Sequence, residues 1–200
     1  MFAKSKTLQS IVISLGAIAV IVGTALAGGH TWRINEVFTD STGTIQFIEC
    51  KECCGGLNEN ATAGHNVTGL ALSRSFTITA NSPSPTSNKT ILLGTPAFNT
   101  LFAALPGSPV PNYVIPAGSV PFVRVIGGDT ITYVPYHSLV IPSGQLPTDG
   151  VLSYYNGGTT ACNTPTNYAG FGGTIRVGCT VKGDVSNNGI VDGDDVAAFG

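Results

Sequence analysis

The residues whose types and spacing best suit a defined chemistry lie near the end of the chain, in the stretch GDVSNNGIVDGDD at 183–195. Oxygen-bearing side chains recur there at every second or third position around Gly189. When Asp184 is counted as position one of a twelve-residue loop, side-chain oxygens fall at positions one, three, five, nine and twelve, and position seven offers a backbone carbonyl. The predicted ligands are Asp184, Ser186, Asn188, Ile190, Asp192 and Asp195.

This spacing predicts a Ca²⁺ site. Ca²⁺ is a hard cation that takes about six to eight oxygen ligands, and alternate side chains of one loop can converge to supply them. Gly189 stands at position six, where such loops turn sharply. The alternative interpretation is an Asp/Asn/Gly-rich turn that holds no metal. Ca²⁺ is the only cofactor that we predict.

The same stretch resembles the first Ca²⁺-binding repeat of a type I dockerin, whose pattern is G-D-V-N-x-D-G-x-V-x-x-x-D. The resemblance covers residues 183–200 and a single repeat, with Ser186 and Asn188 in place of the usual Asn and Asp. It implies a partial dockerin-like repeat at 182–200 with an EF-hand-like loop. It also implies a protein partner, either a cohesin-like protein or another protein of the cell envelope.

The first 27 residues have the pattern of a secretory signal peptide. Lys4 and Lys6 precede the apolar run IVISLGAIAVIVGTALA, which ends in the A-x-A spacing of Ala25-Leu26-Ala27. The alternative is an uncleaved anchor helix, for which the apolar run is slightly short. Cleavage after Ala27 predicts an exported protein, extracellular or at the cell surface, that meets the membrane only through this segment.

Export determines how the five cysteines are interpreted, because cysteines in oxidising compartments usually form disulfides. The two distal cysteines can bridge a Gly/Asn/Thr-rich segment, and a second bridge within the C-x-x-C-C cluster leaves one cysteine over. The alternative is a zinc site with His65 as a distant fourth ligand. The disulfide candidates are Cys50, Cys53, Cys54, Cys162 and Cys179.

Composition excludes some classes of partner and fold. Charged residues make up only 10% of the chain, against roughly a quarter in ordinary soluble domains. Nine Lys and Arg face eleven Asp and Glu, so there is no basic surface for nucleic acid. The 26 glycines and 12 prolines argue against a helical protein.

Residues 28–181 are predicted to form short strands separated by turns. The clearest strand is LALSRSFTI at 70–78, in which apolar residues alternate with small or hydroxyl-bearing ones around Arg74. The run AFNTLFAAL at 97–105 predicts the one short helix, and Asn156 to Gly173 predicts a long surface loop. This pattern favours an all-β chain folded as a β-sandwich, with a β-barrel as the alternative.

The opening hairpin INEVFTDSTGTIQFIEC is similar to that of lamin-tail-like domains in secreted bacterial proteins. NKTILLGTPAF and DTITYVPYHSL resemble an internal strand and a later segment of the same family. The resemblance covers roughly residues 32–155. It implies an immunoglobulin-like β-sandwich that serves as an accessory or interaction module without catalytic residues.

The sequence does not favour an enzyme, because it contains no G-x-S-x-G, H-E-x-x-H or P-loop motif. Glu36 and Glu49 can face each other on the opening hairpin like the paired carboxylates of a glycosidase. The preferred interpretation is that these carboxylates contact solvent or backbone. His137 and Ser138 are neighbours in a predicted strand, so their side chains point to opposite faces and do not form a dyad.

The predicted function is that of an exported, non-catalytic bacterial protein attached to a protein partner through the Ca²⁺ element. One alternative is a carbohydrate-binding or polysaccharide-degrading module. Another is a plain surface structural protein in which Ca²⁺ only stabilises the C-terminal end. The candidates for a sugar-stacking platform, which pack in the core on the competing interpretation, are Trp32, Tyr154, Tyr155, Tyr168 and Phe171.

Overall fold

A computed structural model describes residues 28–175. The predicted signal peptide, Cys179 and the whole Ca²⁺ loop therefore lie outside the described residues. Within the described range, no helix is long and apolar enough to cross a membrane.

The described residues form two β-sheets. Sheet A has the strand order β10-β9-β1-β2-β5-β6, and sheet B has the order β4-β3-β7-β8. All pairings between neighbouring strands are antiparallel except that of β5 with β6. The strands are β1 Trp32–Thr39, β2 Gln46–Glu52, β3 Asn66–Gly69, β4 Arg74–Thr77, β5 Thr90–Gly94, β6 Tyr113–Val114, β7 Asp129–Val134, β8 His137–Ile141, β9 Leu152–Tyr155 and β10 Thr159–Cys162. The prediction of an all-β chain is confirmed, and the two sheets are consistent with a sandwich.

The helix predicted at 97–105 is present as α1, Pro96–Phe102, which begins one residue earlier and ends three residues earlier than predicted. It begins where it does because the Thr95 side chain accepts a hydrogen bond from the Phe98 N–H and Pro96 has no N–H to satisfy. Phe98 and Phe102 are its buried residues, and they lie against the outer face of sheet A.

The central strands of sheet A are buried on both faces. The inner face contributes apolar residues such as Ile34, Ile48 and Leu93 to the core that it shares with sheet B. The outer face carries the second apolar cluster, Phe38, Phe47, Leu92, Phe98 and Phe102. Nearly every residue of β2 and β5 is buried. Because both faces of these strands are covered, their sequences lack simple apolar–polar alternation.

The predicted strand at 70–78 is wrong in its first half. The chain instead forms a hairpin in which β3 and β4 pair around a turn, with Ser73 at a φ of 50°. Leu70, which would have been a core residue, is 71% exposed. Arg74 is the first residue of β4, an edge strand of sheet B. This edge position explains why a charged residue occupies one of the apolar positions of the predicted strand at 70–78.

Candidate functional site

Two buried glutamates lie side by side on the outer face of sheet A. Glu36 of β1 and Glu49 of β2 are direct partners in the antiparallel register, and such partners project to the same face of a sheet. Ile48 and Cys50, which flank Glu49, belong to the inner core. Because successive side chains alternate, the carboxyl pair projects away from that core.

A β-bulge brings Glu36 to this face. The register between β1 and β2 shifts between Ile34 and Glu36, and one extra residue reverses the alternation of every side chain beyond it. The bulge is held by the imidazole of His137, whose Nδ1 accepts a hydrogen bond from the Ile34 N–H at 3.1 Å. The Asn35 carbonyl at the bulge accepts from the Asn156 N–H at 2.8 Å.

Residues 163–175, which we call the strap, cross the carboxyl pair. The Thr164 N–H donates to Oε1 of Glu36 at 2.8 Å, and the Thr164 hydroxyl donates to Oε2 at 3.2 Å. The Thr166 N–H donates to Oε2 of Glu49 at 2.8 Å, and the Asn35 amide donates to Oε1 at 2.8 Å. Each of the four carboxyl oxygens therefore accepts a hydrogen bond from the protein.

Further hydrogen bonds fix the strap along its length. The Thr90 hydroxyl donates to the carbonyls of Thr166 and Asn167 at 2.7 and 3.0 Å. The Tyr168 N–H donates to the Asn112 side chain, and the Asn167 amide donates to the Val110 carbonyl. The long surface loop predicted from Asn156 to Gly173 is therefore partly strand β10 and partly this hydrogen-bonded strap.

The environment of the pair disfavours two negative charges. Desolvation by burial, followed by the charge of Glu36, raises the pKa of Glu49 to about 7. Desolvation also raises the pKa of Glu36, against the opposing effect of its hydrogen bonds to Thr164. Among residues 28–175 no Lys or Arg lies within ion-pair distance of either carboxyl, although the charge of Lys51 partly offsets the rise in the pKa of Glu49. Glu49 therefore keeps its proton to a higher pH than an exposed glutamate does.

This geometry suits a clamp better than a catalytic pair. Glu36 is fully buried and Glu49 is 3% exposed, whereas the carboxyls of a glycosidase must reach both faces of a sugar. The sequence-based interpretation that the carboxylates contact backbone agrees with the N–H donors of Thr164 and Thr166. Contact with solvent, the other half of that interpretation, is not observed.

The structure separates the other predicted site residues. His137 contacts the bulge, whereas the Ser138 hydroxyl bonds to that of Thr132, so the two do not form a dyad. Trp32 is fully buried and donates its indole N–H to the Glu59 carbonyl. The five aromatic candidates do not make one exposed platform, because Tyr154 is also buried.

The cysteines have three different environments. Cys53 and Cys54 form a disulfide between sequence neighbours, and Cys162 is also disulfide-bonded. Cys50 is a free thiol in the core, where desolvation by burial and then the charge of Glu49 raise its pKa. His65 lies against the rings of Tyr133 and Tyr136 rather than in a cysteine cluster. Among residues 28–175 no group of three or more His, Cys, Asp and Glu side chains could hold a metal, which leaves the zinc alternative without support there.

Glu52, which no sequence motif singles out, has a carboxylate that organises the loop containing the Cys53–Cys54 disulfide. It accepts hydrogen bonds from the N–H groups of Cys54, Gly55, Gly56 and Asn88 at 2.9–3.0 Å. Desolvation alone would raise the pKa of Glu52, but these hydrogen bonds outweigh it and lower that pKa. Glycines three and four residues after an acid, here Gly55 and Gly56 after Glu52, are the sequence signal that could have indicated such a nest.

Comparison of the chain with protein-family models, with curated proteins and with solved structures finds no match. The resemblances to dockerins and lamin-tail-like domains therefore stay predictions. The predicted Ca²⁺ ligands, Asp184 to Asp195, lie outside the described residues.

Proposed function

We propose that the chain is an exported, non-catalytic bacterial module that is attached to a protein partner through the Ca²⁺-binding element at 182–200. The ligand spacing from Asp184 to Asp195 supports the metal. The disulfides at Cys53–Cys54 and at Cys162 support export, because such bonds persist in oxidising compartments.

The observation that carries the proposal is the anchoring of the strap. Six residues separate the strap from the Ca²⁺ element in sequence, and buried acceptors on Glu36 and Glu49 hold the strap to sheet A. An attachment element needs a firm connection to the domain that it attaches. Buried hydrogen bonds to ionisable groups give such a connection at about 1.5–3 kcal/mol each.

The proposed mechanism is ordering of the element by Ca²⁺. Neutralisation of Asp184, Asp192 and Asp195 by the ion allows the loop to close, and the closed loop presents a surface to the partner. The alternative of a plain structural protein differs in one respect, since there Ca²⁺ binding would recruit no partner.

Calorimetric titration of the full chain with Ca²⁺ tests the metal site. We expect the double variant Asp184→Asn/Asp195→Asn to lose binding. Asp194→Asn is the matched control, because it removes a charge at a loop position that is not a predicted ligand. Absence of binding tighter than millimolar in the unaltered chain would refute the site.

Capture of cell-surface proteins from the producing bacterium tests attachment. We expect the immobilised chain to retain one identifiable protein in Ca²⁺ and to release it when a chelator is added. Asp194→Asn should retain it, and the double variant should not. Ca²⁺ binding without any Ca²⁺-dependent capture would favour the structural alternative.

A further inference from the structure

A cavity of about 270 Å³ opens beside the carboxyl pair, between the ends of β2 and β5 and the strap. Glu49 contributes to its lining, and the remaining lining is mainly polar. The side chains that matter for the argument are Asn35, Lys51, Asn88, Lys89 and Tyr168.

The cavity gathers both lysines of residues 28–175. Lys51 of β2 pairs with Thr90, the first residue of β5, and Lys89 directly precedes Thr90, so the two lysines lie close together at the same end of adjacent strands. Neither lysine lies within ion-pair distance of a carboxylate among the described residues, where the one ion pair is that of His30. The charge of Lys51 lowers the pKa of Glu49, the one carboxyl that lines the cavity. Two ammonium groups against one carboxyl leave an excess of positive charge at a concave site, which attracts an anion.

The walls of the cavity are held in place before any ligand arrives. Asn88 has a φ of 57°, and its N–H is fixed at 3.0 Å by the Glu52 carboxylate. The Tyr168 hydroxyl donates to the carbonyls of Pro83 and Pro85, which fixes the position of its ring. The Nζ of Lys89 lies 5.7 Å from the centre of that ring. A preformed site loses less free energy in ordering its side chains on binding.

The size and chemistry of the cavity indicate one class of ligand. Its volume is below the roughly 300–1,000 Å³ of pockets for drug-sized molecules, which leaves room for about one six-membered ring. The amides of Asn35 and Asn88 suit hydroxyl groups, the Tyr168 ring suits the apolar face of a sugar, and the lysines suit an oxyanion.

We propose that this cavity binds an acidic saccharide unit, a pyranose that carries a carboxylate or a sulfate ester. Lys51 and Lys89 pair with the oxyanion, while Tyr168 and the two asparagine amides contact the ring. This site is independent of the Ca²⁺ element, and it gives the sandwich a binding role of its own.

Titration of the ¹⁵N-labelled full chain, followed by NMR, tests the site with four probes: glucuronate, glucose 6-sulfate, glucose and inorganic sulfate. We expect saturable shifts of the amides at 49–51, 88–90 and 166–170 with at least one acidic sugar, and none with glucose. The acidic sugar that binds more tightly identifies which oxyanion the site prefers. Absence of saturable shifts with both acidic sugars at tens of millimolar would overturn the proposal, as would equal affinity for inorganic sulfate.

Charge-removing variants locate the binding. Lys51→Gln and Lys89→Gln should each weaken acidic-sugar binding about tenfold, the loss expected for one charge-assisted hydrogen bond. Arg124→Gln removes the same charge from an exposed residue that does not line the cavity, and it should leave the affinity unchanged. Unfolding midpoints of all three variants verify folding. Equal effects of the lysine and arginine substitutions would show only general attraction by charge and would overturn the site.

Discussion

Replacement of Glu49 by Gln tests whether the buried carboxyl pair controls stability through its proton. The substitution keeps the shape of the side chain and removes its charge. The Thr166 N–H can still donate to the remaining oxygen of the new side chain. The Asn35 amide, which now donates to Oε1, can rotate and accept from the new NH₂ group. The variant therefore changes charge with little change in packing.

The magnitude follows from the pKa of Glu49, which is raised from 4.5 to about 7 in the folded protein. The folded value exceeds the unfolded one, so the stabilisation is fully present below about pH 4.5. It is lost as the pH rises through about 7, because the unfolded chain releases this proton first. A difference of about 2.5 between the two pKa values, at about 1.4 kcal/mol each, corresponds to a loss of about 3 kcal/mol.

Urea denaturation of both proteins between pH 4.5 and 8 measures this loss. We expect the unaltered chain to lose about 3 kcal/mol of unfolding free energy relative to Glu49→Gln over that range. The comparison cancels the titration of His137, which both proteins share. Parallel pH profiles of the two proteins would refute the proposed charge penalty. The protection factors for hydrogen exchange at the Thr164 and Thr166 amides, which remove the intrinsic base catalysis, should fall at high pH only in the unaltered chain.

Three further substitutions test the surroundings of the site. Desolvation by burial, with the charge of Arg33, lowers the pKa of His137, so its stabilising contribution is present above its unfolded pKa and is lost as the pH falls from that value through the lower pKa of the folded protein. His137→Ala should remove this acid sensitivity at a cost of about 1–2 kcal/mol, measured by urea denaturation at pH 5 and pH 8. Glu52→Ala leaves four backbone N–H groups without their acceptor and should cost about 2–4 kcal/mol, with faster hydrogen exchange at residues 54–56 as the local measurement. A Cβ at Gly94 would lie 2.4 Å from the Phe98 ring, so Gly94→Ala should lower the thermal midpoint by an amount equivalent to about 1–3 kcal/mol; an unchanged midpoint in either of the last two variants would contradict the contact described.

The two-sheet fold could be predicted because apolar residues and turn signals recur at strand-like spacing. The prediction of a strand at 70–78 failed at Leu70, because four residues that alternate in polarity are compatible both with a strand and with a hairpin turn. The positive φ of Ser73 and the pairing of β3 with β7 distinguish the hairpin from a continuous strand. Neither feature is visible in the local sequence pattern.

The carboxyl pair could be anticipated, but its role could not. The hairpin signal correctly placed Glu36 opposite Glu49. Burial of both depends on the bulge at Asn35 and on backbone donors at Thr164 and Thr166, which come from more than a hundred residues away in sequence. Such contacts are set by tertiary structure, and sequence periodicity carries no information about them.

The long separation of these contacts also affects the order in which the protein can fold. The hydrogen bond from Thr164 to Glu36 joins residues 128 positions apart, and long-range closures of this kind form late and slowly. In a chain that is threaded across a membrane from its N-terminal end, the hairpin emerges well before the strap. The glutamates then remain hydrated, and the sheet remains open, until the last part of the domain has followed. Under the proposed export, the strap would delay completion of the two-sheet fold until most of the domain had been translocated.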